Sequence, residues 1–443
     1  MIQQVSKRYD AYRDSGVEWL GHVPESWTIV RLKDLGFLQN GISKSGDYFG
    51  SGFPFISYGN VYNNTISSEK IKTLANSTPE DQQAYSCKRG DVFFTRTSET
   101  IEEIGFSATC LKTIPKTVFS GFVIRFRPTT NDLVAEFSSF YFSANILRRF
   151  FINEIALVTR ASLGQGLLNK LSVLLPTPPE QKAIANYLDD KTAKIDQQID
   201  LLSQKAKHYG ELKQALINET VTRGLDKTVP MKDSGIEWIG EIPAHWEVKR
   251  VKELGNLVLG KMLDNNQGSD KLLKPYLKSK NIGWLKVTDS NVEEMFFSPY
   301  EIKLYRLKKG DLLFSEGGEV GKTAYWNDEI EECFIQNSVH KFTVNKNSYS
   351  RYFLFLSFAA GRANYYDNIV NFVSIKHLTK EKLSRVVWLS PPPHEQKAIA
   401  DYLDQKTAQI DAIVETITAQ IDNLKALRKT LINDVVTGKI CIL

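Results

Sequence analysis

The sequence predicts an α+β chain: two mixed α/β domains, each followed by a long helix, the helices pairing as an antiparallel coiled coil with a pseudo-two-fold internal repeat. Three observations predict it. Residues 180–196, EQKAIANYLDDKTAKID, recur at 395–411 as EQKAIADYLDQKTAQID, identical at 14 of 17 positions. Residues 14–36, DSGVEWLGHVPESWTIVRLKDLG, recur at 233–255 as DSGIEWIGEIPAHWEVKRVKELG, identical at 12 of 23. Both copies of the first segment open runs of heptad-spaced apolar residues. A period near half the chain is duplication of a large unit, not a solenoid of short repeats.

In chain order, each repeat opens with the DSGxEW head, a proline-containing turn and a tryptophan anchor, Trp27 or Trp246; Trp19 and Trp238 read as packing residues. Short aromatic-rich runs bounded by Gly, Asn and Asp follow and read as strands and turns. Phe53–Val61 lies over 274–282, Gly90-Asp91-Val92-Phe93-Phe94 over Gly310-Asp311-Leu312-Leu313-Phe314, and 119–126 over 335–342. Residues 137–151 and 349–362 read as helices, and 171–175 and 386–389 as the last strands. The long helices then start at prolines, Pro178-Pro179 and Pro391 to Pro393, which a first turn tolerates and a helix interior does not. One seam column is Leu188, Ile195, Leu202, Tyr209 and Leu216 with Ala185, Thr192, Ile199 and Ala206. Its counterpart is Leu403, Ile410, Ile417, Leu424 and Leu431 with Ala400, Thr407, Val414 and Ile421. This 3–4 spacing is a coiled-coil seam. Gly210 is expected to bend the first helix. The boundaries read as 1–177 for the first domain, 178–226 for the central helix, 227–390 for the second domain and 391–443 for the C-terminal helix.

Composition is that of an ordinary globular protein, with net charge +5. The excess lies in the globular regions: 24–175 carries 16 Lys+Arg against 13 Asp+Glu, 243–389 carries 22 against 17, and the helix 180–226 carries 7 against 8. That distribution is compatible with a polyanionic partner. The start, MIQQVSKRYDAYRD, lacks the apolar core of a signal, and FLFLSFAA at 353–360 is too short to span a bilayer. Cys87, Cys110, Cys333 and Cys441 form no CxxC pair, so reduced thiols, a cytoplasmic location and no zinc site are expected.

No motif for catalysis is convincing. GGEVGKT at 317–323 misses the phosphate-binding G-x-x-x-x-G-K-[ST] spacing, because position 316 is Glu, and reads as a glycine-rich turn. Asp289 with Glu301-x-Lys303 matches a nuclease pattern only as a charge-rich chain does by accident. His22, His208, His245, His340, His377 and His394 show no ligand spacing. No catalytic and no metal residue is assigned.

DSGxEWxGxxPxxW at each head, GDxxF inside each half and PPxEQKAIAxYLDxKTAxID at each helix start together cover nearly the whole chain. This constellation resembles the specificity (S, HsdS) subunit of type I restriction–modification systems. The resemblance implies two target-recognition domains binding a bipartite double-stranded DNA target, with the helices as spacer and as docking surface for two methyltransferase (M) subunits. DNA adenine methylation with S-adenosylmethionine, and ATP- and Mg-dependent translocation and cleavage by restriction (R) subunits, would lie in those partners. This chain would hold no cofactor and no catalytic activity, and would not touch a membrane. The alternatives are the recognition part of a stand-alone nuclease or methyltransferase, and a coiled-coil scaffold that binds no DNA.

Recognition loops carry no transferable motif, so candidates follow from chemistry: Arg suits guanine, Asn and Gln suit adenine, Lys and Ser suit phosphate. In the first domain they are Ser57, Tyr58, Asn60, Arg96, Thr97, Arg160, Ser162 and Gln165. In the second they are Lys278, Lys280, Asn281, Lys322, Lys376 and His377. Asn60 and Asn281 match between the domains and equally suit shared turns. Partner docking is expected on outward-facing Ile184, Tyr187 and Leu201 of the first long helix and on Ile399 and Tyr402 of the second.

Overall fold

The computed structural model describes residues 7–98, 104–154, 161–370 and 377–442. The chain divides into two units, Met1–Leu202 with Ala419–Leu443, and Ser203–Thr418.

In the first unit the head is a hairpin, Tyr12–Asp14 against His22–Pro24. Its turn uses a left-handed Gly16, whose N–H the Asp14 carboxylate accepts at 3.0 Å. The next strand, Thr28–Arg31, pairs antiparallel with Ser172–Leu175, the strand that leads into the long helix. Between them lies a five-stranded sheet ordered Gly36–Asn40, Val123–Pro128, Val92–Thr95, Ser107–Cys110, Thr65–Ile66. A three-stranded sheet holds Val118–Phe119, Phe49–Ile56 and Leu74–Ala75. The central strand is buried at every residue because both faces are covered. Val92 and Phe94 join Phe126, Phe137, Tyr141 and Phe142 on one side, and Phe93 joins Ile56, Val61 and Phe119 on the other. Strand alternation delivers successive side chains to opposite faces, so a doubly covered strand reads as an unbroken apolar run.

The second unit repeats the plan. Met231–Asp233 pairs with Glu241–Pro243, and Glu247–Arg250 with Val387–Ser390. Its five-stranded sheet is Gly255–Leu259, Val339–Val344, Leu312–Ser315, Thr323–Tyr325, Leu285–Lys286. The expected helices differ. Ser350–Arg362 is continuous, whereas the run expected at 137–151 is two helices, Ala135–Ser143 and Ile146–Glu154. Ala144 takes an extended conformation there, the Ser143 hydroxyl bonds back to Ser139, and the Asn433 side chain accepts the Ile146 N–H at 3.0 Å. Likewise 119–126 is two short strands around a turn at 120–122.

The long helices span Pro178–Arg223 and Pro393–Val436. Gly210 does not interrupt the first; a Cβ there would meet nothing within 4 Å. The two helices pack together antiparallel. In the first unit Ile184 and Leu188 share a core with Ile432, Val435 and Val436, and Asp196 pairs with Arg428 at 2.9 Å. In the second, Ile217 and Val221 share a core with Ile399, Ala400 and Leu403, and Lys213 pairs with Asp411 at 2.7 Å. All eighteen seam positions named from the heptads are buried or half-buried.

Each helix start is tied to its own domain by the Glu-Gln of the repeat. Glu180 accepts the Trp27 indole N–H at 3.1 Å and the Tyr9 hydroxyl at 2.7 Å. Glu395 accepts the Trp246 indole at 3.0 Å and lies 2.7 Å from the His245 ring. Gln181 accepts the Val134 N–H at 2.8 Å, and Gln396 accepts the Tyr349 N–H at 2.8 Å. Both N–H groups lie at a helix N-terminus, where the helix supplies no acceptor. The outward placement expected for Ile184 and Ile399 is overturned. They are 0% and 1% exposed, because the first turns carry an extra apolar stripe that packs on the domain as well as on the other helix. Leu201 is 57% exposed, and Tyr187 and Tyr402 are half-buried.

Candidate nucleic-acid interface

The strands of each five-stranded sheet run between the helix start and a free end. In the first domain that free end gathers the turn 120–122, the strand exit at Arg96-Thr97 and the segment 162–165. The Arg96 N–H donates to Phe122 O at 3.0 Å, the Leu163 N–H to Arg96 O at 2.8 Å, and the Gly121 N–H to Ile42 O at 2.7 Å. The Arg96 guanidinium donates to Gly121 O at 3.3 Å. Thr97 lies opposite Ser162 in a two-stranded pairing, and Gln165 opens the short helix that follows. The Tyr58 hydroxyl donates to Thr97 O at 2.8 Å. Five of the expected residues, Tyr58, Arg96, Thr97, Ser162 and Gln165, are thus brought to one end of one sheet. Beside them Tyr62 packs on Tyr58 and Phe106, with ring centroids 5.5 and 5.0 Å away, and Arg148 lies 5.2 Å over Phe106.

The second domain builds the same end with the same backbone. The Glu316 N–H donates to Ser338 O at 3.0 Å, the Leu378 N–H to Glu316 O at 2.9 Å, and the Asn337 N–H to Lys261 O at 2.8 Å. These bonds put Glu316 where Arg96 stands, Ser338 where Phe122 stands and His377 where Ser162 stands. Burial pushes the Glu316 carboxyl above its ordinary range, and the neighbouring His377 opposes that shift. His377 is exposed.

The structure gives the other candidates internal partners. Asn281 is overturned as a DNA contact: it is 1% exposed, accepts the Lys278 N–H and donates to Thr288 O at 3.0 Å, so its side chain closes a turn. Asn60 closes the matching turn. It accepts the Ser57 N–H and hydroxyl, both at 2.9 Å, and donates to Lys70 O at 3.0 Å. Lys278 and Lys280 both pair with Glu293, and Lys322 pairs with Glu319 at 2.8 Å. Arg160 and Lys376 lie outside the described residues. Asp289 is exposed and Glu301 pairs with Lys261 at 2.7 Å; among the described residues no group of three or more His, Cys, Asp or Glu could hold a metal ion. Among them, too, no helix is long and apolar enough to cross a membrane.

Two residues at the free ends escape a search for donors. Phe122 is 64% exposed, and Glu316 is an acid in a domain whose net charge is positive. The interruption of an apolar run by Ser-Gly before Phe122 is the only sequence signal for the first. The repeat alignment, which sets Glu316 against Arg96, is the signal for the second.

A profile of the type I restriction modification DNA specificity domain matches twice, at residues 24–204 and 243–423. A putative type I restriction enzyme MjaX specificity subunit from Methanocaldococcus jannaschii is 25% identical over 440 residues, 95% of each chain. The type I restriction enzyme EcoKI specificity subunit of Escherichia coli is 21% identical over 435 residues, 92% of this chain and 86% of that one. Among solved structures, one described under complex assembly and conformational transition of the type I R-M system has a TM-score of 0.72 at 16% identity, covering 94% of this chain and 99% of the other. The HsdS subunit from Thermoanaerobacter tengcongensis has a TM-score of 0.54, also at 16% identity, covering 94% and 98%.

Proposed function

The chain belongs to the type I restriction modification DNA specificity family and is the non-catalytic specificity subunit of such a system, and from that premise we propose how its parts divide the work. Each domain reads one half of a bipartite duplex target with the free end of its five-stranded sheet. The observation that carries this reading is the pair of free ends with one backbone and two sets of side chains. A shared scaffold with unshared loops is what two independent readers need.

In the first domain Arg96 contacts guanine, while Thr97, Ser162 and Gln165 complete the base and phosphate contacts. Phe122 and the Tyr58–Tyr62–Phe106 cluster add apolar area where a thymine methyl can pack. In the second domain His377 and Lys322 face DNA, and Lys322 exchanges Glu319 for phosphate. Tyr187, Tyr402 and Leu201 receive two methyltransferase subunits on the long helices. Methylation with S-adenosylmethionine, and ATP- and Mg-dependent cleavage, reside in those subunits and in the restriction subunits. Single-molecule methylation sequencing of DNA from cells expressing this chain with its methyltransferase tests the reading. Two short specific half-sites separated by an unspecified spacer are expected; a continuous motif, or none, overturns it.

A further inference from the structure

We propose that Glu316 reads a base: its carboxylate accepts a hydrogen bond from an exocyclic amino group, cytosine N4 or adenine N6, in the major groove of the second half-site. The inference rests on the reading of the sheet ends as DNA-facing and deepens it.

Equivalence with Arg96 comes from backbone bonds and not from side-chain likeness. Each residue leaves its central strand and donates its N–H to the turn carbonyl, Phe122 or Ser338, at 3.0 Å. Each accepts at its carbonyl from the same neighbouring segment, Leu163 or Leu378. The side chains have opposite chemistry. A guanidinium has only donors and matches the two acceptors on guanine's major-groove edge; an ionised carboxylate has only acceptors and matches an amino group.

A structural role for the carboxylate has little to act on. Among the described residues Glu316 has no ion pair and no side-chain hydrogen bond. Its neighbour Glu319 has both, an ion pair with Lys322 and the Trp284 indole N–H at 2.7 Å. An acid facing phosphates is repelled by them, so its presence there calls for a specific donor in the groove. His377 lies on the adjoining segment, whose Leu378 N–H donates to Glu316 O at 2.9 Å.

The test uses the full chain assembled with its methyltransferase subunits. Methylation motifs are mapped for the wild type, for Glu316→Gln and for Glu316→Arg. Glu316→Gln keeps the shape and is expected to lose roughly ten-fold or more of the discrimination at one base pair of the second half-site. Every other position, and the whole first half-site, stays as it was. Whether the relaxed pair is C·G or A·T identifies the amino donor. Glu316→Arg is expected to move that position to guanine. If Glu316→Arg fails to assemble, Glu316→Gln decides alone. Glu316→Gln methylating an unchanged motif at unchanged stringency overturns the proposal while leaving the two-reader function intact. A wild-type complex that yields no bipartite motif overturns that function, and the proposal with it.

Discussion

Replacing Glu180 by alanine should destabilise the first unit far more than the matching Glu395→Ala destabilises the second. Glu180 is 8% exposed and holds two donors at once, the Tyr9 hydroxyl and the indole N–H of Trp27, itself 1% exposed. Alanine leaves the buried Trp27 indole without its acceptor, at about 1–3 kcal/mol, and the half-buried Tyr9 hydroxyl without its own, at the low end of that range. It also removes an acid from a helix first turn, worth about 0.3–1 kcal/mol. The combined loss is roughly 3–5 kcal/mol, since contributions through one side chain do not simply add. Glu395 is half-buried and one of its partners, His245, reaches solvent, so water replaces part of what is lost; about 1–2 kcal/mol is expected there. Glu180→Gln, which retains an acceptor oxygen, should lose only about 1 kcal/mol. Urea unfolding by tryptophan fluorescence measures the totals, and hydrogen exchange assigns them to units, because a two-unit chain need not unfold in one step. A Glu180→Ala loss below about 0.5 kcal/mol, or one equal to that of Glu395→Ala, would refute the idea that Glu180 ties the helix start to its domain.

Other outcomes follow from the same structure. Tyr187→Glu with Tyr402→Glu should abolish co-purification with the methyltransferase while leaving thermal unfolding within about 1 kcal/mol of wild type, since both rings are only half-buried; undiminished assembly would move the docking surface elsewhere. Exchanging residues 24–175 for those of a relative should switch one half-site in methylation mapping and leave the other, mismatches costing about 1–3 kcal/mol per base pair. The Glu293 carboxyl is held down to about 2, first by Lys278 and then by the Tyr276 hydroxyl. Its contribution to stability is therefore complete above the ordinary glutamate range and is lost as pH falls through that range toward 2. Glu293→Gln should flatten that stretch of the acid unfolding curve, and a curve unchanged in shape would count against the pairing.

The long helices and their seam were legible because a heptad registers one face of a helix whatever lies against it. What covers a second face is not encoded in the period. Ile184 and Ile399 stand off the heptad columns and are buried by their own domains together with the other helix. Strands such as Val92–Thr95 were legible as apolar runs, but their free ends were not. Arg96 meets Phe122 and Leu163 through backbone bonds, which no side-chain pattern announces. Ala144 and Ala359 are equally buried, at 3% exposure each, yet only the first breaks its helix, where Asn433 caps the new N-terminus from nearly three hundred residues away. Asn60 and Asn281 show the opposite case. Their recurrence at matching places already pointed to a turn, and the turn is what they make.

The internal pairing of the second domain's lysines bears on how salt would act on binding. Lys278 and Lys280 share Glu293, Lys322 has Glu319, and Lys274 has Glu332. A free lysine that meets a phosphate sets loose a small cation condensed on the DNA, and that release is what makes affinity fall steeply as ionic strength rises. A lysine that must first let go of its own carboxylate returns a bare anion to the surface beside the DNA, and the gain from the freed cation is offset. If the second domain reads DNA as proposed, weaker binding to arbitrary sequence is expected of it, with more of the discrimination left to groups that touch the bases.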